Sequence, residues 1–419
     1  MVVYKFGGSS IKDSGGIKKF AEIVKQNQGN LVVVVSALGK TTNALEEMVR
    51  KAWERDNGYL ESFNAIKSFH FNVLGELVNQ NREEIEKKLH SLFHEMEFFL
   101  RGKPGNDYDR FYDQVVSRGE LWSSLILESY LKRAGIKTQW LDARVMIITD
   151  ESFRSANINW EETSKRVSKA VQKKSQLVFL TQGFIGGTKN NLSTTLGREG
   201  SDYSAAILAN ILEAEKVVIW KDVPGVLNAD PKIIEKPILL PEISYQEAIE
   251  LAYFGAQVIH PKTIKPLQNK NIPLIVKSFL FPENYGTIIR INKLPENRTP
   301  SIIFKKNQLL LSISPRDFSF VFDQSLGDIF GILSEHRLKI NLIQNSAISI
   351  SICLDNDERK LPGLLNSLKK KYEVYYNSGL ELITIRHYND ETIREILFNL
   401  KVLIEQKTRA TVHYVVERN

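Results

Sequence analysis

The stretch Leu31–Asn43, L-V-V-V-V-S-A-L-G-K-T-T-N, decides how the N-terminal half of the chain is read. Leu31–Val35 is a run of apolar, mostly β-branched residues, the pattern of a strand buried on both faces in a parallel sheet. Gly39-Lys40-Thr41 then looks like the end of a P-loop. A P-loop requires an earlier glycine at the G-x-x-x-x-G-K spacing, so that backbone amides can wrap phosphates. That position is Val34, in mid-strand, so the P-loop reading fails. The polar turn from Ser36 to Thr42 needs another role.

Outward from this strand, β-rich and helical patterns alternate. Val2–Phe6 precedes it, separated by a helix near Gly16–Gln26, and Thr138–Leu141, Gln176–Leu180, Lys216–Trp220 and Pro273–Val276 follow. Short, nearly all-apolar runs between helices predict an α/β fold with a mostly parallel sheet covered on both faces. A helical insertion spans about 57–116, with Leu60, Phe63, Ile66 and Phe69–Phe71, then Leu89, Leu92, Phe93 and Met96, at helical spacing. Most of these residues read as packing for a helical cap.

Composition bounds the rest. At 419 residues, two or three domains are expected. No apolar run approaches a membrane span, and the chain opens directly on a strand, so neither a membrane segment nor a signal peptide is expected. The single cysteine, Cys353, excludes an internal disulfide or a thiolate metal cluster and reads as a buried strand residue in a reduced, cytoplasmic protein. The net charge of +7 is spread along the chain and interleaved with acids, which does not make a nucleic-acid module. Such a surface suits anionic substrates.

Lys293–Lys306, with two prolines and many charges, reads as a linker after a first domain at 1–292. Beyond it, strand Leu309–Ser312, helix Leu326–His336, strands Ile340–Ile343 and Ile348–Leu354, helix Leu361–Lys371 and strand Tyr372–Tyr376 give β-α-β-β-α-β, the ferredoxin-like order. This first module is placed at 307–378. A second, abbreviated copy is placed at 379–419, with strand Leu380–Ile385, one helix at Glu391–Glu405 and a closing strand Thr411–Val416.

Five segments carry chemistry. Lys5-Phe6-Gly7-Gly8-Ser9-Ser10 ends the first strand in glycines, which let backbone amides approach phosphate oxygens beside a lysine. Thr195-Leu196-Gly197-Arg198-Glu199-Gly200-Ser201-Asp202 leads into a helix, where an N-terminus favours anions and Ser201 reads as the N-cap. Ser117-Arg118-Gly119-Glu120 opens another helix with an acid in its first turn. Trp220-Lys221-Asp222-Val223-Pro224-Gly225, continuing to Lys232, is a strand end at the ligand-bearing edge of a parallel sheet. In Phe254–Pro261, His260 before a proline reads as a turn residue.

In this order, with Val35-Ser36-Ala37 and Thr42-Asn43, Thr181-Gln182-Gly183-Phe184 and His260-Pro261, these segments resemble the aspartate kinases of the amino-acid kinase fold. The resemblance covers about 1–290, and the C-terminal part is similar to the tandem ACT regulatory domains of that family. It implies transfer of the γ-phosphoryl group of ATP, with Mg²⁺, to the side-chain carboxylate of L-aspartate, the first step toward lysine, threonine, methionine and isoleucine. By resemblance, Lys5 stabilises the transferring phosphoryl and Asp202 orients Lys5 or the substrate. Arg198 holds the α-carboxylate, Glu120 the α-ammonium, and Thr42 and Ser201 add hydrogen bonds. Gly7, Gly8, Ser9, Lys221, Asp222, Leu227, Lys232 and Gln257 border the nucleotide, with no metal held by protein ligands.

The family commonly has glycine at Glu199, threonine at Lys221, tyrosine at Leu227 and lysine at Gln257, so departures gather on the nucleotide side. An amino-acid effector is expected at Asn341, Gln344 and Asn345, with lysine slightly ahead of threonine, although lysine-sensitive relatives often carry aspartate at Asn341. A homodimer or larger homo-oligomer is expected, with no nucleic-acid or membrane partner. Alternatives are a kinase of glutamate or N-acetylglutamate, or a non-catalytic ACT-type sensor; the sensor would be expected to lose Lys5 or Asp202. With the chain ending at Asn419, a fused dehydrogenase is not expected.

Overall fold

The computed structural model describes residues 1–27, 29–78, 82–102, 104–171, 177–256, 259–291, 299–316 and 324–418. They form two compact units, the first from Met1–Val226, Leu239–Ile249 and Val258–Leu294, the second from Leu227–Ile238, Glu250–Gln257 and Pro295–Asn419.

The first unit opens β1 (Val2–Phe6), α1 (Ser14–Lys25), β2 (Leu31–Val35) and α2 (Thr41–Trp53). The insertion supplies α3 (Gly58–Leu77), α4 (Glu83–Arg101) and α5 (Tyr108–Val116). Then come α6 (Arg118–Arg133), β3 (Thr138–Leu141), α7 (Ala143–Met146), α8 (Trp160–Ala170), β4 (Val178–Gln182) and the hairpin β5 (Ile185–Gly187) and β6 (Ser193–Thr195). Next are α9 (Gly200–Leu212), β7 (Lys216–Lys221), β8 (Glu242–Ser244), α10 (Tyr245–Phe254), α11 (Pro261–Asn269), β9 (Leu274–Ser278) and β10 (Thr287–Arg290). The main sheet runs β3-β4-β2-β1-β7-β9-β10-β8, parallel except between β9 and β10. The expected strands at 176–180 and 273–276 sit slightly later, and the short β5, β6, β8 and β10 carry too little pattern to be read from sequence.

All five residues of β2 are buried, as its composition requires. In the register Phe6 faces Val35 on one side and Trp220 on the other, while Val35 faces Gln182. The carboxyl ends of β1, β2, β4 and β7 therefore lie side by side. That edge is where open α/β sheets bind ligands. Beneath it, Phe6, Phe20, Leu31, Val33 and Val35 join Phe63, Phe93, Met96 and Trp122 in one apolar core. Burying a side chain of this size stabilises by about 1.5–3 kcal/mol.

The second unit continues with β11 (Ser301–Pro315), α12 (Gln324–Glu335), β12 (Ile340–Asn345), β13 (Ile350–Asp355), α13 (Leu361–Lys369) and β14 (Tyr372–Arg386). It ends with α14 (Asp390–Ile396), β15 (Leu400–Lys407) and β16 (Thr411–Arg418). Three expectations need correction. The proposed boundary at 378/379 falls inside β14, a single long strand. The last six residues of the expected linker are already strand β11. The expected helix Glu391–Glu405 is a short helix followed by a strand, because Leu400, Val402 and Ile404 alternate at the strand period.

These differences have one cause. Strands β11 and β14 pair antiparallel along their length, with register shifts at Lys305/Gln308 and Gln308/Leu310. There Asn307 (φ 54°) and Gly379 (φ 72°) adopt left-handed backbone. One half of each strand, with β12, β13, α12 and α13, completes an inner β-α-β-β-α-β module around Leu309, Leu311, Ile352, Leu364 and Leu368. The other halves, with α14, β15 and β16, build an outer module around Ile302, Ile383, Ile385 and Val412, against which Ala229 and Ile234 also pack. The second module is thus split around the first, and they share one six-stranded sheet, β12-β13-β11-β14-β16-β15. Cys353 is buried in β13, where burial pushes its thiol up to about 12.

Candidate active site

A cavity of about 540 Å³ opens at the carboxyl edge of the parallel sheet, lined by Lys5, Ser36, Thr42, Glu46, Tyr112, Glu120, Arg154, Phe184, Thr195, Arg198, Glu199, Ser201, Asp202 and Lys221, among others. Sequence segments far apart meet here because each follows, or packs beside, one of the adjacent strand ends.

Lys5, the penultimate residue of β1, is buried, and its ammonium lies 2.7 Å from Oδ1 of Asp202 in the first turn of α9. Lys221, at the end of neighbouring β7, places a second ammonium 3.6 Å from Oδ2. Burial alone would push the Asp202 carboxyl up; Lys5, then Lys221, outweigh it and hold the group below its ordinary range. Asp202 is therefore a permanent anion between two cations. The Gly7-Gly8-Ser9 turn follows directly. A Cβ on Gly8 would lie 2.5 Å from the Ala37 carbonyl oxygen, so glycine is required for the β1 and β2 turns to touch. Gly39 N–H donates to the Gly8 carbonyl at 3.1 Å, which ties the opening stretch to the phosphate-type turn.

Ser201 is not the N-cap of α9. Glu199 holds that position with φ 53° and ψ 28°, and Ser201 sits within the first turn, accepting a hydrogen bond from Ser36 Oγ at 3.0 Å. Glu199 tolerates this left-handed backbone while its Oε2 accepts from His260 N–H at 2.8 Å. His260 itself caps α11, its Nδ1 accepting from Lys262 N–H at 3.1 Å, in keeping with its reading as a turn residue. A Cβ on Gly183 would meet Ser201 Cβ at 2.6 Å, so this glycine lets α9 approach the end of β4.

Glu120 lies in the first turn of α6 and is 2% exposed. One carboxylate oxygen accepts from Ala37 N–H at 3.4 Å, and Oε2 has no hydrogen-bond partner among the described residues. Burial pushes this carboxyl up to about 8, against the Ala37 N–H and the more distant Lys5. Arg198, in contrast, is exposed at the cavity wall. The cavity therefore offers an uncompensated buried acid and an arginine fork, the complements of an ammonium and a carboxylate.

Not all expected residues gather here. Asp222 is exposed just beyond Lys221 and is outside the cavity lining. Leu227 and Lys232 belong to the second unit, and Gln257 lies outside the described residues. In the second unit, Gln344 and Asn345 are exposed on β12. Asn341 is held in a network: its Oδ1 accepts from Lys305 at 2.7 Å, and its Nδ2 donates to Gln308 and Asp355 at 2.7 and 2.8 Å. Conversely, sequence reasoning missed Ser36, Glu46, Tyr112, Arg154, Phe184 and Thr195 as cavity residues. Phe184 and Thr195 were legible, since they close Thr-Gln-Gly-Phe and open Thr-Leu-Gly-Arg-Glu-Gly-Ser-Asp; Arg154 carries no local signal.

The fold and cavity define an α/β enzyme scaffold with a charged cavity beside a glycine-rich turn of phosphate type. Residues 1–278 match the model described as the amino acid kinase family. The chain is 32% identical over 397 residues to the lysine-sensitive aspartokinase 3 of Escherichia coli (strain K12), covering 92% of this chain and 86% of that protein. It is also 32% identical over 390 residues to the chloroplastic bifunctional aspartokinase/homoserine dehydrogenase 2 of Arabidopsis thaliana, covering 90% of this chain. Of that longer relative the chain spans 42%. The crystal structure of Escherichia coli aspartokinase III in complex with aspartate and ADP (R-state) matches with a TM-score of 0.83 at 27% identity, covering 99% of this chain and 96% of that one. The aspartate kinase of Clostridium acetobutylicum shares the fold, with a TM-score of 0.80 at 23% identity. The chain belongs to the amino acid kinase family, among its aspartokinases.

Proposed function

We propose that this chain transfers the γ-phosphoryl group of ATP to the side-chain carboxylate of L-aspartate, giving 4-phospho-L-aspartate and ADP. The observation that carries this reading is the buried Glu120 carboxylate, whose Oε2 has no hydrogen-bond partner among the described residues, in one cavity with Arg198 and with the Lys5–Asp202 ion pair. Glu120 receives the α-ammonium and Arg198 the α-carboxylate, with Thr42 and Ser201 adding hydrogen bonds. The side chain of the substrate then points its second carboxylate toward Lys5.

That carboxylate, with an ordinary pKa near 3.9, is already ionised at neutral pH, so the reaction needs no general base. One of its oxygens forms the new bond to the γ-phosphorus, and the bond from that phosphorus to the bridging oxygen breaks, leaving its electron pair on ADP. Lys5 neutralises charge on the transferring group, and Asp202 fixes Lys5 in place. Catalysis then rests on positioning and charge. Mg²⁺ arrives with the nucleotide as part of the substrate. Gly7, Gly8, Ser9, Lys221 and Asp222 border the nucleotide in this reading, and the roles of Leu227, Lys232 and Gln257 rest on the resemblance alone.

The Escherichia coli relative is named lysine-sensitive, and a structure of aspartokinase III holds lysine with aspartate in a T-state. This supports feedback inhibition by an end-product amino acid at the ACT-type modules, with lysine ahead of threonine. The Asn341 amide, engaged by Lys305 and Asp355, favours weak rather than tight binding of a cationic effector. A homodimer or larger assembly is proposed on the exposed Tyr375 and Tyr376 of the second unit, to be measured by sedimentation. No described helix is long and apolar enough to cross a membrane; a cytoplasmic site of action is part of the proposal.

The decisive test is hydroxylamine trapping of the acyl phosphate with ATP, Mg²⁺ and candidate acids. Aspartate should give product, and glutamate about 10²-fold less, because the extra methylene displaces the nucleophile by roughly 1 Å. Equal turnover of glutamate would overturn the assignment.

A further inference from the structure

The helical insertion reads from sequence as a cap, yet the C-terminal half of α5 reaches the active site. Asp113 is fully buried there, and three donors converge on its carboxylate. Oδ1 accepts from the Thr195 hydroxyl at 2.7 Å, and Oδ2 accepts from Thr195 N–H at 2.8 Å and Arg154 N–H at 3.0 Å. Thr195 and Arg154 both line the cavity, whereas Asp113 does not. We propose that Asp113 is a positioning residue that holds Thr195 as a hydrogen-bond acceptor toward the substrate's α-ammonium and sets the Arg154 backbone at the same end of the cavity. This rests on the aspartate kinase reading above.

The polarity follows from proton counting. A threonine hydroxyl has one proton, and here Asp113 takes it, so any further contact of Thr195 Oγ1 is as an acceptor. An acceptor suits an ammonium and repels a carboxylate. The second anchor explains a strained feature. Arg154 has φ 66°, a left-handed conformation costly for arginine, and its N–H is fixed by Asp113 while its guanidinium lies 4.5 Å from the Tyr112 ring and 3.3 Å from Asp109. Tyr112 in turn donates to Glu46 on α2, one turn after Thr42. Residues Asp109, Tyr112 and Asp113 thus hold one wall of the cavity from a single short helix.

The test uses the full chain and the acyl-phosphate assay. In Asp113→Asn the amide nitrogen would face Thr195 Oγ1, which must then accept and turn its own proton toward the cavity. The KM for aspartate should rise about tenfold or more, the size of a reversed hydrogen bond, with kcat and the KM for ATP within about threefold of wild type. In a Thr195→Val background, where no hydroxyl remains to be reversed, the same substitution should raise KM much less. An unchanged KM in Asp113→Asn, or an equal increase in both backgrounds, overturns the proposal. If Asp113→Asn does not fold, the pair Thr195→Ser and Thr195→Val decides it: serine should keep the wild-type KM and valine should raise it, and equal KM values overturn the proposal. A wild-type chain that makes no acyl phosphate from aspartate instead defeats the functional reading itself.

Discussion

The two ends of the active-site cavity differ in how their charges are compensated. At the end proposed to take the phosphoryl group, the Asp202 anion lies between the Lys5 and Lys221 cations, 2.7 and 3.6 Å away. At the end proposed to take the amino acid, Glu120 is buried with no hydrogen-bond partner for Oε2 among the described residues and with Lys5 only at a distance, and its carboxyl is pushed up to about 8 by that burial. The first arrangement is preorganised: its charges are in place before any substrate arrives, which is what transition-state stabilisation needs. The second, in the proposed reading, serves recognition, since its stability cost is relieved when an ammonium binds. On that reading chemistry and selection are separated along one cavity.

Breaking the preorganised end should have the largest effect. Lys5→Met should lower kcat about 10²–10³-fold, the usual cost of one preorganised stabilising group. It should also lower the thermal midpoint, because Asp202 keeps only the more distant Lys221, and breaking a buried ion pair is destabilising. Unaltered kcat in this variant would remove Lys5 from the mechanism.

Glu120→Gln should act on the other end and in a different parameter. The KM for aspartate should rise by roughly 30-fold, about 2 kcal/mol, while kcat changes less. Stability should move the opposite way. Unfolded Glu120 ionises above its ordinary 4.5, whereas the folded group keeps its proton to about 8, so wild-type stability falls as pH rises between those values. Thermal melts should show the Gln variant gaining on wild type across that window, with no difference below it. A Gln variant that binds aspartate normally would place the ammonium elsewhere.

The same group predicts a pH dependence of substrate binding. Below about 8 Glu120 must release its proton when the ammonium binds, so the KM for aspartate should fall as pH rises from about 6 to 8, by up to tenfold per unit. The profile should be flat in Glu120→Gln. A wild-type profile equally flat would show that the acid stays ionised in the free enzyme.

The smallest effect is expected where the two ends meet. Ser36→Ala removes the hydrogen bond to Ser201 at the start of α9. A loss of about 1 kcal/mol should raise the KM for aspartate roughly fivefold and leave kcat intact. A change in kcat alone would assign Ser36 to the phosphoryl end.

The aspartokinase relationship was legible because its segments are local. Lys5-Phe6-Gly7-Gly8, Ser117–Glu120 and Gly197–Asp202 each hold their roles within a few residues, and each flanks a recognisable strand or helix. The ferredoxin-like order at 309–376 was legible for the same reason. The splitting of the outer module was not, because Ser301–Lys305 is separated from its partners in β14 by the whole inner module. Nothing near Lys305 records that pairing. The two prolines and the charges at 293–300 suggested a linker running into what is already strand.

The sequence by itself determined the long apolar strands of the parallel sheet, such as β1, β2 and β7, which turns carry glycine, and the segments that hold Lys5 and Asp202. Hydrophobic period, glycine sterics and helix-start chemistry act over a few residues, so they are written locally. Only the tertiary structure decided that Asp113 reaches Thr195 across 82 residues and Arg154 across 41, that Glu199 rather than Ser201 caps α9, and that burial leaves Glu120 Oε2 without a hydrogen-bond partner among the described residues. These follow from which surfaces exclude water and which donors converge on one carboxylate, quantities that exist only after distant segments have packed together.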